Sequence, residues 1–300
     1  MQALLFRQLQ PFLDHLRFEK RYSPHTLSAY CSDLTAFLDF LLLQYGDMEL
    51  RAISPGMVRS WLASLKEADQ SSRSVNRRIS TLKSFYRFLI KQGEVTASPL
   101  TTITAPKVRK RLPVYVEEQD LATLMQHEAF PATWEGRLHE LVCLLFYSTG
   151  MRLSELTGLR EQQLDLHRSQ VKLLGKGNKE RIIPLGGVLL QKLGAYLEAR
   201  NQLTAAADTN VLLVRENGRP VYPRYIQRVI RQYLSLVTTV EKKSPHVLRH
   251  SFATHLMNNG AELNAVKELL GHSSLAATQV YTHNTIEKLK DIHKKAHPRG

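Results

Sequence analysis

Cysteine is nearly missing from this chain. Only Cys31 and Cys143 occur in 300 residues, each alone in an apolar helical pattern, so neither a disulfide framework nor a cysteine-type zinc site is on offer. A reducing compartment is expected, with both thiols in the core. Long apolar runs are missing too. No stretch of about 18 uninterrupted apolar residues exists, and Met1 to Leu16 is amphipathic with charges inside it, so neither a membrane span nor a secretory signal can be drawn. The expectation is a cytoplasmic protein. Internal repeats and low-complexity tracts are absent as well. Acidic residues are scarce: 27 Asp and Glu stand against 41 Lys and Arg, a formal net charge of +14 with a pI near 9.8. Such a surplus is the footprint of a protein that sits on a polyanion. The hydrophobic fraction of 43% over 300 residues is enough for a substantial core, and that length suggests about two domains.

The first hundred residues read as helices with clear start signals. Ser23-Pro24 and Ser54-Pro55 each place a serine cap before a first-turn proline. Behind the first come Leu27, Tyr30, Leu34, Phe37, Leu38 and Leu41 at helical spacing; behind the second come Val58, Trp61, Leu62 and Leu65. A third helix carries Ile79, Leu82, Phe85, Tyr86 and Leu89 on one face and stops near Gly93. Arg77, Arg78, Lys83, Arg87 and Lys91 lie largely off that stripe. A basic helical face is commonly just solvated, but the polar approach Gln70 to Ser74 beside it suits phosphates, so Arg77, Arg78, Lys83 and Arg87 are assigned to DNA-backbone contact.

Thr101 to Pro113 breaks the pattern with two prolines, four cationic residues and no helical period. It reads as an extended linker, with Lys107, Arg109, Lys110 and Arg111 able to follow a phosphate backbone. The expected organisation is a helical unit over 1–104, a linker over 105–113 and a second domain over 114–300. In that second domain, Glu117 to Gln126, Leu138 to Ser148 and Arg152 to Leu159 read as helices. The runs 170–174 and 180–184 read as strands of a hairpin whose turn carries Lys176 and Lys179. Helices dominate again from Arg224. The fold class is therefore mainly α: an all-helical N-terminal domain, then a mostly helical one with a small antiparallel sheet.

Four separated segments carry candidate chemistry. Arg152 begins a helix with Glu155 three residues on, near enough to orient its guanidinium or simply to pair on the surface. Lys176 sits at a glycine-flanked turn. His246 and Arg249 are three apart, a helical spacing that lets both grip one phosphate. His272 follows Gly271, and Tyr281 lies nine residues further on. Tyrosine is a poor nucleophile at neutral pH, so cationic residues gathered around one point to an anionic reaction centre, of which a phosphodiester is the obvious case. Each element alone is ordinary surface chemistry. Two rival classes share part of the pattern. A metal enzyme would use His246, His250 and His255, of which the first two have zinc-ligand spacing but no H-E-x-x-H glutamate between them. A non-catalytic DNA-binding protein would leave the constellation without a task.

The segments G-M-R-L-S-E-L, G-K-G-N-K-E-R, P-H-V-L-R-H-S-F-A-T-H-L, L-L-G-H and T-Q-V-Y-T-H resemble the signature of the tyrosine recombinase (phage integrase) family: Arg, Lys, His-x-x-Arg, His, Tyr in that order. The resemblance spans nearly the whole chain and is nearest the Xer subgroup, whose compact members end in a tail like His297-Pro298-Arg299. It implies a site-specific recombinase that forms a 3′-phosphotyrosyl intermediate through Tyr281, without ATP, metal or other cofactor. Arg152 and Arg249 would neutralise non-bridging oxygens. Lys176 would act as general acid, His246 would accept or relay the tyrosine proton, His272 would bond a phosphoryl oxygen, and Glu155 would support Arg152 from behind. The implied partners are double-stranded DNA, a homo- or hetero-tetramer with a second recombinase, and a septal DNA translocase, in the resolution of chromosome or plasmid multimers at cell division. A mobile-element integrase, an invertase or a type IB topoisomerase-like enzyme would share the chemistry. The apolar stripe Ile286, Leu289 and Ile292 among lysines marks a short C-terminal helix, expected to dock on a neighbouring protomer or to fold back on its own domain.

Overall fold

The computed structural model describes residues 4–108, 114–125, 129–175, 180–203, 210–271 and 295–296. The chain divides into two compact units, residues 1–111 and 112–300.

The first unit is helical. Helix α1 (Leu9–Asp14) runs through a π turn at 15–19 towards α2 (Pro24–Tyr45), which is followed by α3 (Pro55–Glu67) and α4 (Ser72–Lys91). Each of the last three starts where the serine cap requires: Ser23, Ser54 and Ser71 accept backbone N–H bonds from Thr26, Met57 and Ser74 at 3.2, 3.3 and 3.2 Å. These bonds satisfy amide donors that the first helical turn otherwise leaves open. The apolar stripes meet in one core, where Phe12 lies edge-on to Phe85 at 5.2 Å and Phe37 packs on Trp61 at 4.9 Å. Helix α2, buried along one face only, has a mean hydropathy of 1.3 and, by length and composition, would pass for a membrane span. Its Leu34, Phe37, Leu38 and Leu41 are instead committed to this core, and it carries the buried Asp33 among them. Cys31 on the same helix is only half-buried, so the expected core thiol is Cys143 alone.

Asp33 adds an acidic partner to the basic face. Arg77 donates to its Oδ2 at 2.5 Å, Thr81 to the same oxygen at 3.0 Å, and Arg78 Nε lies 3.5 Å from Oδ1. Two of the four arginine and lysine positions assigned to phosphate are thus turned towards a carboxylate that α2 brings to α4, although Arg77 remains half exposed. Lys83 and Arg87 are exposed. Beyond α4, Ile103 is still in the core and Asn76 donates to the carbonyl of Pro106 at 2.9 Å, so the chain leaves this unit only after that proline. Lys107 is exposed, while Arg109, Lys110 and Arg111 lie outside the described residues.

The second unit is built around α6 (Trp134–Thr149), which follows the short α5 (Glu118–Leu124) and is buried on nearly every side from Leu138 onward. A helix apolar all round belongs at the centre of a domain, and α8 (Gly187–Asn201) and α10 (Pro245–Asn258) pack against it. Between them come α7 (Leu153–Thr157) and a three-stranded antiparallel sheet, β1 (Leu164–Asp165), β2 (Gln170–Leu174) and β3 (Glu180–Pro184), in that spatial order. Strands β2 and β3 occupy the expected spans, with Leu173 opposite Arg181 and Val171 opposite Ile183. Strand β1, only two residues long, escapes any reading by periodicity. Helices α9 (Pro223–Val237) and α11 (Leu263–Leu270) complete the unit. Near the C-terminus, Ala296 is buried in this same core and its carbonyl accepts from Asn259 Nδ2 at 2.8 Å. The expected helix around Ile286, Leu289 and Ile292 lies outside the described residues.

Candidate active site

Three arginines converge on the C-terminal end of α11. Arg181 Nε donates to the carbonyl of Leu269 at 2.9 Å, Arg249 Nη2 to that of Leu270 at 2.6 Å, and Arg152 Nη2 to that of Gly271 at 2.9 Å. The last carbonyls of a helix have no partner of their own and carry the negative end of its dipole. Each of these three is met by a guanidinium from a different element: β3, α10 and the start of α7. A second donor of Arg249, Nη1, bonds the carbonyl of Gly150.

Backbone conformation makes the convergence possible. Gly150 closes α6 in the left-handed region with φ +57°, and a Cβ there would lie 2.5 Å from Phe252 Cδ1 and 3.0 Å from a Leu270 methyl. Gly271 closes α11 in the same way with φ +63°, and its missing Cβ leaves room for the Arg181 side chain, whose Cδ would stand 3.0 Å from it. Both positions require a residue that tolerates positive φ and has no side chain.

One carboxylate balances the cluster. Glu155 Oε2 accepts the backbone N–H of Arg152 at 2.7 Å, as a third-position glutamate does at a helix start. Its Oε1 accepts from Arg152 Nη1 at 2.8 Å. Arg181 adds a bidentate pair, Nη1 to Oε1 at 2.8 Å and Nη2 to Oε2 at 2.7 Å. Glu155 therefore does not pair on the surface: its side chain is 7% exposed, that of Arg181 3%, and that of Arg152 32%. Burial alone would raise the Glu155 carboxyl, but the hydrogen bond from Arg181, the Arg152 N–H, the Arg181 charge and the Arg152 side-chain hydrogen bond outweigh it and hold the pKa at about 2. For Arg249, burial and the nearby Arg152 and Arg181 bring the guanidinium down to about 10, so it stays charged at neutral pH. The result is three cations against one anion, with Arg152 the member most open to solvent: a local excess of positive charge held in fixed directions, which suits an anion with two free oxygens such as a phosphodiester.

Of the residues singled out in the sequence, Arg152, Glu155 and Arg249 are brought together. His246, one helical turn before the buried Arg249, is exposed, so the two side chains of the His-x-x-Arg segment stand at different depths on α10. Lys176, His272 and Tyr281 lie outside the described residues; β2 ends at Leu174 and α11 at Leu270, each two residues before Lys176 and His272 respectively. Arg181 was missed in the sequence. The signal for it was its parity: on β3 it shares a face with Ile183 and is as buried. The histidines weighed as metal ligands separate, because His255 is buried and bonded through Nδ1 to the Tyr147 hydroxyl at 3.0 Å, whereas His246 faces solvent. Burial lowers the His255 pKa, and likewise that of His139, whose Nε2 meets the Tyr225 hydroxyl at 2.7 Å and Nδ1 that of Tyr233 at 3.2 Å.

Comparison with known proteins places these features in a family. Residues 115–288 match the phage integrase family, and residues 9–93 match the phage integrase N-terminal SAM-like domain. A tyrosine recombinase XerC of Chlorobaculum parvum is 38% identical over 317 residues, covering 97% of this chain and 94% of that protein. One from Actinobacillus pleuropneumoniae is 38% identical over 300 residues, covering 100% and 96%. Among solved structures, the XerH site-specific recombinase bound to palindromic difH substrate superposes with a TM-score of 0.71 at 21% identity, covering 95% of this chain and 82% of that one. A lambda integrase tetramer bound to a Holliday junction superposes with a TM-score of 0.70 at 17% identity, covering 93% and 81%. At those identities the two structures share the fold.

Proposed function

Because the chain belongs to the phage integrase family, we propose that its arginine cluster is the phosphate seat of a site-specific tyrosine recombinase and that Tyr281 is the nucleophile. The enzyme transfers DNA strands. In the reaction read from the residues, the Tyr281 phenol oxygen attacks the scissile phosphorus and the bond to the 5′-oxygen breaks. The departing oxygen takes a proton from Lys176, and the phenolic proton passes to His246. Charge that builds on the non-bridging oxygens is met by Arg152 and Arg249, with His272 as a further donor and Glu155 holding Arg152. The 3′-phosphotyrosyl bond keeps the energy of the broken phosphodiester, so religation by the reverse step needs no nucleotide. The observation that carries this reading is the pair Arg152 and Arg249, both bonded to adjacent carbonyls at the end of α11 and both beside the same carboxylate.

Residues 1–104 would clamp DNA, 105–113 would lie along its backbone, and 114–300 would cut and rejoin it. Phosphate contacts are assigned to Lys83, Arg87, Lys107, Arg109, Lys110 and Arg111, with Arg77 and Arg78 as further contacts. The likeness to XerC proteins favours a cytoplasmic enzyme working as a tetramer, with itself or a second recombinase, in resolving chromosome or plasmid multimers, under a septal DNA translocase. Tyr281→Phe tests the reading: it should bind a half-site as wild type does and form no adduct that survives denaturant on a nicked suicide substrate. An adduct of undiminished yield would remove Tyr281 as nucleophile.

A further inference from the structure

We propose that Arg181 is a positioning residue for the strand-cleavage reaction: from strand β3 it fixes Glu155 and the carbonyl edge of α11, and through them the guanidinium of Arg152. The proposal rests on the reading of Arg152 as a catalytic residue.

The side chain of Arg181 reaches away from its own hairpin. Two donors go to Glu155 beside the start of α7, and the third goes to Leu269 at the end of α11. Its aliphatic stem also fills the space under Gly271, whose carbonyl receives Arg152. Arg152 thus has two anchors, Glu155 and the Gly271 carbonyl, and Arg181 touches both. A purely structural role is a poor account of this placement. Position 181 points inward on the strand as Ile183 does, and an apolar residue there would avoid burying a charge altogether, since a buried ion pair is often no more stabilising than well-packed apolar side chains. What an apolar residue cannot do is keep a buried carboxylate ionised and hold its two oxygens in a fixed plane. Arg181 also sits on β3, which pairs with β2, so it ties that strand pair mechanically to the arginine seat.

The charged groups acting on Glu155 are Arg152 from its own helix start, Arg181 from β3 and Arg249 from α10. Arg160, Lys172 and Glu180 line the cleft beside it. Of these, Arg181 supplies the largest force that keeps the carboxyl low. Without it, burial pushes the carboxyl up, protonation begins as pH falls, and Arg152 loses an anchor.

Single-turnover cleavage of a nicked suicide DNA by the full-length enzyme, measured between pH 5 and 8 for wild type, Arg181→Met, Arg181→Lys and Arg152→Ala, tests this. Taking each variant's rate as a ratio to wild type cancels titrations common to all. Arg181→Met should keep its DNA footprint, cleave about 10²-fold slower at pH 8, as a misplacement near 1 Å does, and its ratio should fall further towards pH 5. Arg181→Lys retains the charge but not the three-donor geometry; its ratio should be higher than that of Met and flat with pH. Should Arg181→Met fail to fold, the flat, reduced ratio of Arg181→Lys carries the test alone. A Met ratio near one, or ratios for Met and Lys that are equal and flat, would overturn the positioning role while loss of cleavage in Arg152→Ala left the catalytic reading standing. Cleavage near the wild-type rate in Arg152→Ala would instead overturn the reading of Arg152 itself.

Discussion

Each unit of this protein buries one carboxylate among arginines, and the two arrangements do opposite things. Asp33 in the first unit takes Arg77, Arg78 and Thr81, all from the single helix α4. Its partners reach towards water, with Arg77 half exposed and Arg78 partly so. The ion pairs pin α2 to α4 and leave one positive charge over, on a side chain that reaches towards water. Glu155 in the second unit takes Arg152 and Arg181 from two elements, with Arg249 from a third nearby. Those three cations also hold three successive carbonyls. Here one anion cannot neutralise what surrounds it, and the excess is held in fixed directions. A buried acid that locks two helices and a buried acid that aims a cationic seat differ in how many elements supply its partners.

The sharpest way to break that contrast is to remove each acid. Glu155→Ala leaves buried cations without their counterion, so the second unit should lose about 3–5 kcal/mol and cleavage should vanish. Asp33→Ala frees arginines that can turn to solvent, and its loss should be nearer 1–3 kcal/mol, with cleavage kept wherever the protein is folded. Urea titration of the full chain, followed by tryptophan signals from Trp61 and Trp134, one in each unit, would read both. Equal losses would mean the two sites are mechanically alike.

Glycines at helix ends offer a second contrast. Gly150→Ala must accept positive φ and a Cβ 2.5 Å from a buried Phe252 carbon, so roughly 2–4 kcal/mol is expected from strain plus overpacking. Gly93 ends α4 with φ +74° and nothing within 4 Å, so Gly93→Ala should cost only the backbone term, about 1 kcal/mol. Thermal unfolding of the two variants would decide it, and a larger loss at Gly93 would contradict the packing described around Gly150.

Acid should separate the units less strongly. Burial holds His139 and His255, both in the second unit, below the ordinary histidine pKa of 6.5. A histidine that protonates more readily unfolded than folded stabilises the fold above its unfolded pKa. That stability is lost as pH falls below about 6.5, until the folded pKa is passed. Glu155, held at about 2, adds a further loss only below its ordinary 4.5. Between pH 7.5 and 5 the Trp134 transition should therefore weaken while Glu155 still contributes fully. A Trp134 midpoint unchanged over that interval would show the two histidines titrating alike in both states.

The smallest effect concerns salt. Alanine at Lys107, Arg109, Lys110 and Arg111 should leave stability unchanged and flatten the dependence of log affinity on log salt, by about 0.9 for each phosphate that no longer meets a cation. An unchanged slope would mean the segment does not touch DNA.

Much of this architecture was legible before the structure. Serine-proline caps mark where α2 and α3 begin, because a side-chain acceptor and a fixed φ act on the nearest turn whatever lies beyond it. Strands β2 and β3 follow from alternation, and α6 from a run apolar on all sides. The approach of Arg152 to Glu155 follows from a spacing of three residues. The direction of Arg77 and Arg78 was not legible: a helical arginine near a stripe edge faces solvent or an acid depending on which helix crosses there. Nor was Arg181, since alternation shows that it points inward but not what waits inside.

Local sequence was enough for the helical class, for the two-unit organisation suggested by a proline-rich basic break, and for a surplus of charge suited to a polyanion. It also carries, in order, the residues whose pattern marks the family. These depend on propensity, periodicity and composition, which act over a few neighbouring residues. Packing alone settles that Glu155 is buried, that Arg181 completes it, and that Arg152, Arg181 and Arg249 share the end of α11. Those hydrogen bonds join residues 119, 88 and 21 positions apart, and at such separations the partner is chosen by how helices and strands pack, not by anything written beside either residue.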